Sequence, residues 1–209
     1  MKFQKQLKGK TSKKFGAVLW KHRQLTSKQL KTLLLQNRKL KTKKLSNFGA
    51  QLKAKQLVAS LYGNLRMQQF KNLLKQSEKY KGKITHVFFS LLEKRLDSFL
   101  VQAKFAPTFF AAKQLINHQK VFVNGNLVSS PSFTLKPGDF VKFEPKTKLL
   151  VASNLKKVME NQKTTQNQLY KSLAFEVNYK TLEAIFLFSP QQIHYPTLLE
   201  PELVIKALR

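Results

Sequence analysis

Apolar side chains between residues 46 and 80 recur every three or four positions, which is the spacing of one side of an α-helix. Ser46 is a residue type that caps helix N-termini, and Gly63 interrupts the apolar pattern. We therefore predict two helices, the second of which ends near Gly82. Its opposite side is a cationic stripe of Lys71, Lys75 and Lys79.

The next apolar stripe predicts one amphipathic helix over residues 85–104, with its apolar side in the core. Pro107 ends this pattern, because the residue before a proline avoids helical backbone. A shorter helix should follow from residue 108 to residue 118. Its inner side holds Ala111, Ala112, Leu115 and Ile116, and its outer polar side holds Lys113, Gln114, Asn117 and His118.

The period then changes to that of β-strands. The apolar residues 121–123 lead to Asn124-Gly125, a strong signal for a hairpin turn in which both residues have positive φ, and the chain returns through Leu127 and Val128. The sequence Lys136-Pro137-Gly138-Asp139 fits a type II turn that leads into a strand over residues 140–143. Residues 92–144 therefore predict a helix, a turn, a second helix and a small antiparallel sheet.

The two ends of the chain are less regular. Residues 145–172 are polar and predicted to be helical in part, and two further strands and a short terminal helix are expected at 175–179, 182–188 and 200–208. Near the N-terminus, Leu30, Leu33 and Leu34 have helical spacing.

These patterns predict an α+β protein, with an N-terminal helical domain followed by a helix-turn-helix-like pair and a small antiparallel sheet. The sequence divides into a basic arm (1–40), a helical domain (41–92), the helix pair with its sheet (93–150), and a polar helical segment with strands and a tail that packs back on the body (151–209).

Charge is the most unusual property of the composition. The 209 residues include 39 Lys and Arg against 10 Asp and Glu, a net charge of +29. The first carboxylate is Glu78, so residues 1–77 contain 20 basic residues and no acidic one. Such a segment repels itself and favours a polyanion with dense phosphates as its partner. An anionic membrane surface and a merely solvated surface are the alternatives.

Several classes of protein are excluded or disfavoured. No window approaches the roughly 18 consecutive apolar residues of a membrane-spanning helix. The absence of cysteine excludes disulfides and thiolate metal sites. The four histidines, His22, His86, His118 and His194, are far apart, and no phosphate-binding loop or nucleophile motif is present. We therefore expect no metal, no cofactor and no enzymatic activity.

Six short motifs occur in order between residues 95 and 139. They are Arg95-Leu96-Asp97, Phe105-Ala106 with Thr108, Ala112-Lys113-Gln114-Leu115-Ile116 with His118, Val123-Asn124-Gly125, Pro131-Ser132 and Gly138-Asp139. In this order and spacing they resemble the RNA-binding module of the small-subunit ribosomal protein four family. Residues 44–76 and 175–190 resemble the helical region before that module and the closing segment after it, so the resemblance covers residues 41–209.

The resemblance implies a structural constituent of the small ribosomal subunit. Family members bind small-subunit ribosomal RNA at a multi-helix junction early in assembly, near the path by which messenger RNA enters, beside neighbouring ribosomal proteins. Pseudouridine synthases and tyrosyl-tRNA synthetases carry similar modules, so a ribosome-associated factor and an RNA-modifying enzyme are the alternatives. Only about 65 residues follow the module, which is too few for most catalytic domains.

Candidate RNA-binding residues follow from the resemblance and from side-chain chemistry. In the helical domain they are Lys43, Lys44, Gln51, Lys53, Lys55, Gln56, Arg66 and Gln69. In the module they are Arg95, Thr108, Lys113, Gln114, Asn117, His118, Lys120, Asn124 and Gly125. Two alternatives stay open: Arg95 pairs with Asp97, and His118 is a capping or solvated residue. Asp97 and Asp139 are expected to be structural.

Codon bias bears on the compartment. Lys outnumbers Arg by 34 to 5 and Phe is abundant, which indicates an A/T-rich coding genome such as that of an organelle. The N-terminus lacks the opening motif of bacterial and plastid family members, which favours a mitochondrion over a plastid or a bacterial-type cytoplasm. Residues 1–40 are either part of the mature protein or a cleaved transit peptide.

Overall fold

The computed structural model describes most of the chain in five stretches: residues 14–15, 26–41, 46–163, 174–190 and 199–209. Two compact units are distinguished. One comprises residues 1–71 and 194–209, and the other comprises residues 72–193. The four-part division expected from composition stays a prediction.

The described residues contain eight helices of at least seven residues and five strands. The helices are α1 Ser27–Lys41, α2 Asn47–Leu61, α3 Met67–Ser77, α4 Ile84–Glu93, α5 Leu96–Gln102, α6 Phe109–Asn117, α7 Pro145–Lys163 and α8 Pro201–Leu208. The strands are β1 Val121–Val123, β2 Asn126–Leu127, β3 Phe140–Phe143, β4 Phe175–Asn178 and β5 Glu183–Phe186. The predicted α+β class is confirmed.

In the first unit, α2 packs against the C-terminal helix α8. The Ser46 hydroxyl accepts a hydrogen bond from the Gly49 amide at 3.2 Å, which confirms the predicted N-cap. The buried residues of α2 are Ala54, Leu57, Val58 and Leu61. The buried residues of α8 are Val204, Ile205 and Leu208. The terminal helix is confirmed, and α1 confirms helical structure around Leu33.

The break at Gly63 is confirmed, but the predicted end of the next helix is wrong. Gly63 has a φ of 74°, which a glycine adopts without strain. Helix α3 ends at Ser77 rather than near Gly82. There the buried Ser77 hydroxyl donates to the Leu74 carbonyl at 2.7 Å, and the Tyr80 amide donates to the Ser77 carbonyl at 3.3 Å. These bonds span three residues and replace the four-residue hydrogen bonds of the α-helix.

The single helix predicted over residues 85–104 is also wrong, because α4 and α5 are separate. Arg95 lies between them with extended backbone, φ −65° and ψ 142°. A distant segment imposes the break. The Leu135 amide donates to the Lys94 carbonyl at 2.9 Å, and the Leu96 amide donates to the Phe133 carbonyl at 2.8 Å. The apolar stripe is nonetheless buried, as expected: Phe89, Leu92, Leu96, Phe99 and Ala103.

The sheet of the second unit is antiparallel and has the strand order β2-β1-β3-β5-β4. The hairpin is confirmed, since Asn124 and Gly125 have φ values of 51° and 82°. The second turn is confirmed by a φ of 90° at Gly138 and by the Asp139 amide, which donates to the Lys136 carbonyl at 3.1 Å.

One core unites α5, α6, α7 and the inner side of the sheet. Its apolar side chains come from all three helices and from four strands, so the C-terminal strands complete the module instead of forming a separate layer. Edge-to-face aromatic pairs join distant parts of the chain. The rings of Phe105 and Phe143 lie 5.0 Å apart, and those of Phe99 and Phe175 lie 5.3 Å apart.

Candidate nucleic-acid interface

The outward side of α6 is the polar face that the sequence predicts. Gln114, Asn117 and His118 are exposed, while the opposite side of the helix is buried in the core. His118 occupies the C-cap position, where its backbone amide donates to the Gln114 carbonyl at 3.0 Å. Its imidazole is exposed, so the capping is done by the backbone and the side chain projects into solvent.

The start of α6 is fixed by Thr108. Its hydroxyl accepts a hydrogen bond from the Ala111 amide at 3.0 Å, in the manner of an N-cap. This bond sets where the helix begins and therefore which residues face outward. Thr108 thereby helps to orient the polar face of α6; it is half-buried, and its own contact with RNA stays a prediction.

Lys113 lies at the edge of this face. Its side chain is 22% exposed, and its Nζ lies 4.0 Å from Oδ2 of the buried Asp97. Burial lowers the pKa of the Lys113 ammonium. The Asp97 carboxylate raises this pKa and the Arg95 guanidinium lowers it further. The cation is thus partly withdrawn from water and held near a fixed carboxylate.

Arg95 requires a correction. Its Nε and Nη2 donate to Oδ1 and Oδ2 of Asp97 at 3.0 and 2.8 Å, and its side chain is only 5% exposed. The alternative that the sequence left open, an ion pair with Asp97, is therefore the arrangement present. Arg95 stabilises the break between α4 and α5 and does not reach solvent as a phosphate anchor.

Lys120 joins the start of β1 to the end of β3. Its Nζ lies 2.6 Å from Oε2 of Glu144, and its side chain is 39% exposed. The hydrogen bond from Lys120 lowers the pKa of Glu144, and burial opposes this effect. Lys120 stays accessible, but a carboxylate already offsets part of its charge.

Asn124 and Gly125 form the exposed tip of the hairpin, and their RNA-binding role stays a prediction. The Asn124 side-chain amide donates to Asp139 Oδ1 at 2.8 Å, and its oxygen accepts from the Phe140 amide at 2.9 Å. Asp139 in turn accepts from the Lys136 amide at 2.7 Å, which confirms its structural role. Both polar ends of Asn124 thus join the two turns. Gly125 is exposed and supplies the positive φ that the tip requires.

The candidates in the helical domain occupy two helices. Gln51, Lys53, Lys55 and Gln56 lie half-buried on α2. Arg66 and Gln69 are exposed at the start of α3, where the Arg66 amide donates to Gln69 Oε1 at 3.0 Å. Lys43 and Lys44 lie outside the described residues. These candidates belong to a different compact unit from the module.

Sequence reasoning missed the contact between Asp97 and Lys113. It assigned Asp97 a structural role, which the buried ion pair with Arg95 confirms. However, Lys113 follows Asp97 by sixteen positions across the turn at Pro107, and no helical or strand spacing connects them.

The cationic stripe that the sequence predicts on α3 and just after it reaches solvent. All three of its lysines, Lys71, Lys75 and Lys79, are exposed.

Two features are absent from the described residues. Within the five described stretches, no three His, Asp or Glu residues lie close enough together to hold a metal ion. Within the same stretches, none of the helices combines the length and the apolar character needed to cross a membrane.

Comparison with known proteins adds family relationships. Residues 94–141 match the S4 domain, a range that covers α5, α6, β1, β2 and the start of β3. The chain is 38% identical over 165 residues to the small ribosomal subunit protein uS4 of Ruegeria sp. strain TM1040, an alignment covering 78% of this chain and 77% of that protein. With the same coverage, it is 36% identical to uS4 of Caulobacter vibrioides and 34% identical to uS4 of Roseobacter denitrificans.

Proposed function

The chain belongs to the uS4 family of small ribosomal subunit proteins, and we propose that it is a structural constituent of the small subunit that binds its ribosomal RNA. The observation that carries this proposal is the acid-free charge of residues 1–77. In the described part of that segment, exposed cations include Lys28, Lys31, Arg66 and Lys71. Phosphates would offset this charge and release their condensed counterions.

The module supplies a second contact surface. On α6, the exposed amides of Gln114 and Asn117 and the imidazole of His118 can bond to ribose hydroxyls or phosphate oxygens. Lys113 adds a cation at the edge of the same face. Folded RNA is recognised mainly through its shape, its phosphates and its 2′-hydroxyls, and this set of groups suits such recognition. Lys120 is a weaker candidate because Glu144 accompanies it.

The family resemblance refines the proposal. We infer binding at a multi-helix junction of the RNA, early in subunit assembly and near the path of incoming messenger RNA, with other small-subunit proteins as neighbours. We further infer that the chain has no catalytic activity and requires no cofactor. The absence of phosphate-binding loops and nucleophile motifs from the sequence supports this inference.

We also propose that the ribosome concerned is mitochondrial, on the basis of the Lys and Phe bias of the sequence. A plastid and a bacterial-type cytoplasm are the alternatives. Protein sequencing of ribosomes purified from each compartment of the source cell tests this. Recovery of the chain from mitochondrial small subunits supports the assignment, and recovery from plastid or cytoplasmic ribosomes only would overturn it.

Cross-linking within intact small subunits tests RNA binding itself. The protein is cross-linked to RNA by ultraviolet light, and the attached RNA is sequenced. We expect cross-links from the exposed side of α6 and from α2 and α3 to one compact region of small-subunit ribosomal RNA. Absence of the protein from purified subunits, or cross-links scattered over unrelated RNAs, would contradict the proposal.

A further inference from the structure

Three charged side chains meet where α5 begins. The carboxylate of Asp97 is fully buried and makes a two-point ion pair with Arg95, at 3.0 and 2.8 Å. The Nζ of Lys113, on α6, lies 4.0 Å from Oδ2 of the same carboxylate. One buried carboxylate therefore connects the chain break before α5 to the helix that carries the polar outer face.

The backbone holds this carboxylate in place. Oδ1 of Asp97 accepts a hydrogen bond from the Ser98 amide at 2.9 Å, and the Asp97 amide donates to the Pro131 carbonyl at 3.4 Å. The Ser98 hydroxyl donates to the Leu92 carbonyl at 2.8 Å, which ties the start of α5 to α4. The Asp97 carboxylate is thus held in one position, whereas the Lys113 side chain has four rotatable bonds and needs a partner to fix its ammonium.

The charge balance of the three groups is positive. Two cations surround one carboxylate, so Arg95, Asp97 and Lys113 together carry a charge of +1. Arg95 is almost wholly buried, whereas the Lys113 side chain reaches solvent. Burial by itself disfavours a charged ammonium, and the Asp97 carboxylate acts against that effect on the pKa of Lys113. Of the two cations, Lys113 is therefore the one that a ligand on the α6 side can reach.

We propose that Asp97 is a positioning residue for RNA binding, whose buried carboxylate holds the ammonium of Lys113 beside Gln114 and Asn117 so that the three can share a phosphate. Lys113 and Asn117 are one helical turn apart and lie on the same side of α6. This inference rests on the proposed function, because it requires the outer face of α6 to contact RNA.

The substitution Asp97→Asn separates positioning from simple electrostatics. It removes a negative charge and raises the net charge of the chain from +29 to +30. Electrostatic attraction alone predicts tighter binding to RNA. Positioning predicts the opposite: affinity roughly threefold to tenfold weaker, the effect of losing one charge-assisted hydrogen bond.

The measurement is a double-mutant cycle on the full-length protein. The four proteins are the parent, Asp97→Asn, Lys113→Gln and the double variant, and the probe is transcribed small-subunit ribosomal RNA of the source organism in a filter-binding titration. If Asp97 acts through Lys113, Asp97→Asn weakens binding in the parent and changes nothing in the Lys113→Gln background. Unchanged or tighter binding of Asp97→Asn, or an equal loss in both backgrounds, would overturn the inference.

A second variant covers the case in which Asp97→Asn fails to fold, since it leaves Arg95 buried without its carboxylate. Arg95→Leu combined with Asp97→Asn removes both buried charges and keeps the net charge at +29. Circular dichroism establishes that it is folded. It should bind roughly threefold to tenfold more weakly than the parent, and this loss should disappear in the Lys113→Gln background. Parent-like affinity of this folded variant would overturn the inference.

The outcomes also distinguish the inference from the proposed function. If Lys113→Gln weakens binding but the Asp97 variants do not, the positioning role is wrong and RNA binding by α6 stands. If the parent itself does not bind the ribosomal RNA above the level of an unrelated RNA of equal length, the proposed function is wrong, and the inference falls with it.

Discussion

The N-terminal 77 residues and the module formed by residues 93–144 handle charge in opposite ways. In the module, seven basic residues accompany four acidic ones, and buried or half-buried pairs such as Arg95–Asp97 and Lys120–Glu144 are part of the fold. Residues 1–77 contain 20 basic residues and no carboxylate. The module's fold compensates much of its own charge, whereas the N-terminal charge requires a partner outside that segment.

This difference assigns separate tasks to the two regions. A net charge of +3 on residues 93–144 cannot hold a large RNA surface at physiological salt, although it is sufficient for a shaped contact by α6. We therefore expect the N-terminal cations to supply most of the affinity and the module to supply orientation. The predictions below vary one region while the other is kept intact.

The largest effect should come from the core of the module. Leu115→Asp places a carboxylate on the buried side of α6 and should cost roughly 4 kcal/mol or more, enough to unfold a domain of ordinary stability. Gln114→Asp makes the same change at the adjacent exposed position and is the matched control. Thermal unfolding followed by circular dichroism should show a lost transition for the first variant only; two parent-like curves would contradict the described core.

The next largest effect should come from the N-terminal cations. Replacing Lys28, Lys31, Lys71 and Lys75 by Gln should weaken binding to small-subunit ribosomal RNA by roughly a hundredfold, since each neutralised phosphate contact adds to affinity. Replacing Lys104, Lys120, Lys136 and Lys142 by Gln removes the same charge from the module. A filter-binding titration should show a smaller loss for the module set, and a larger one would reverse the assignment of tasks.

A smaller effect should follow from charge reversal beside α6. Lys113→Glu combined with Lys120→Glu should weaken RNA binding roughly tenfold while leaving the helical signal in circular dichroism unchanged. Both side chains reach solvent, but each new carboxylate lies beside Asp97 or Glu144, so the melting temperature should fall while the helices remain formed. If the double variant binds as tightly as the parent, the outer face of α6 does not contact RNA.

The smallest effect concerns pH. The hydrogen bond from Lys120 lowers the pKa of Glu144 below its ordinary value of 4.5. A carboxyl whose pKa is lower in the folded state stabilises the fold above its unfolded pKa, and this contribution is lost as the pH falls from 4.5 through the folded pKa. Lys120→Met should therefore unfold at a slightly lower temperature than the parent at pH 7. A difference that persists unchanged at acidic pH would exclude this ion pair as its cause.

The sequence predicted those features of the fold that depend on neighbouring residues. The cap at Ser46 and the turns at Asn124-Gly125 and Gly138 are local, because a side chain or a positive φ determines each one. The outer face of α6 was predictable for the same reason, since helical periodicity alone decides which side Gln114 and Asn117 occupy.

Features that depend on distant contacts were not predictable. The break at Arg95 exists because the backbones of Phe133 and Leu135 form hydrogen bonds with the residues on either side of it. The apolar stripe continues across the break, so the sequence pattern does not indicate it. The role of Asn124 in joining two turns depends on Asp139, fifteen residues away. In the candidate site, helical periodicity predicted the exposed side of α6, but charge and polarity did not reveal that Arg95 is buried.

The salt dependence of RNA binding tests the central claim most directly, namely that the positive charge of residues 1–77 drives binding. The full-length protein is titrated against small-subunit ribosomal RNA at a series of salt concentrations with magnesium constant. With six or more phosphate contacts, affinity should fall by about a thousandfold or more between about 50 and 200 mM salt, and the variant lacking Lys28, Lys31, Lys71 and Lys75 should show a clearly shallower slope. A nearly flat response of the parent, or equal slopes for the two proteins, would contradict the account.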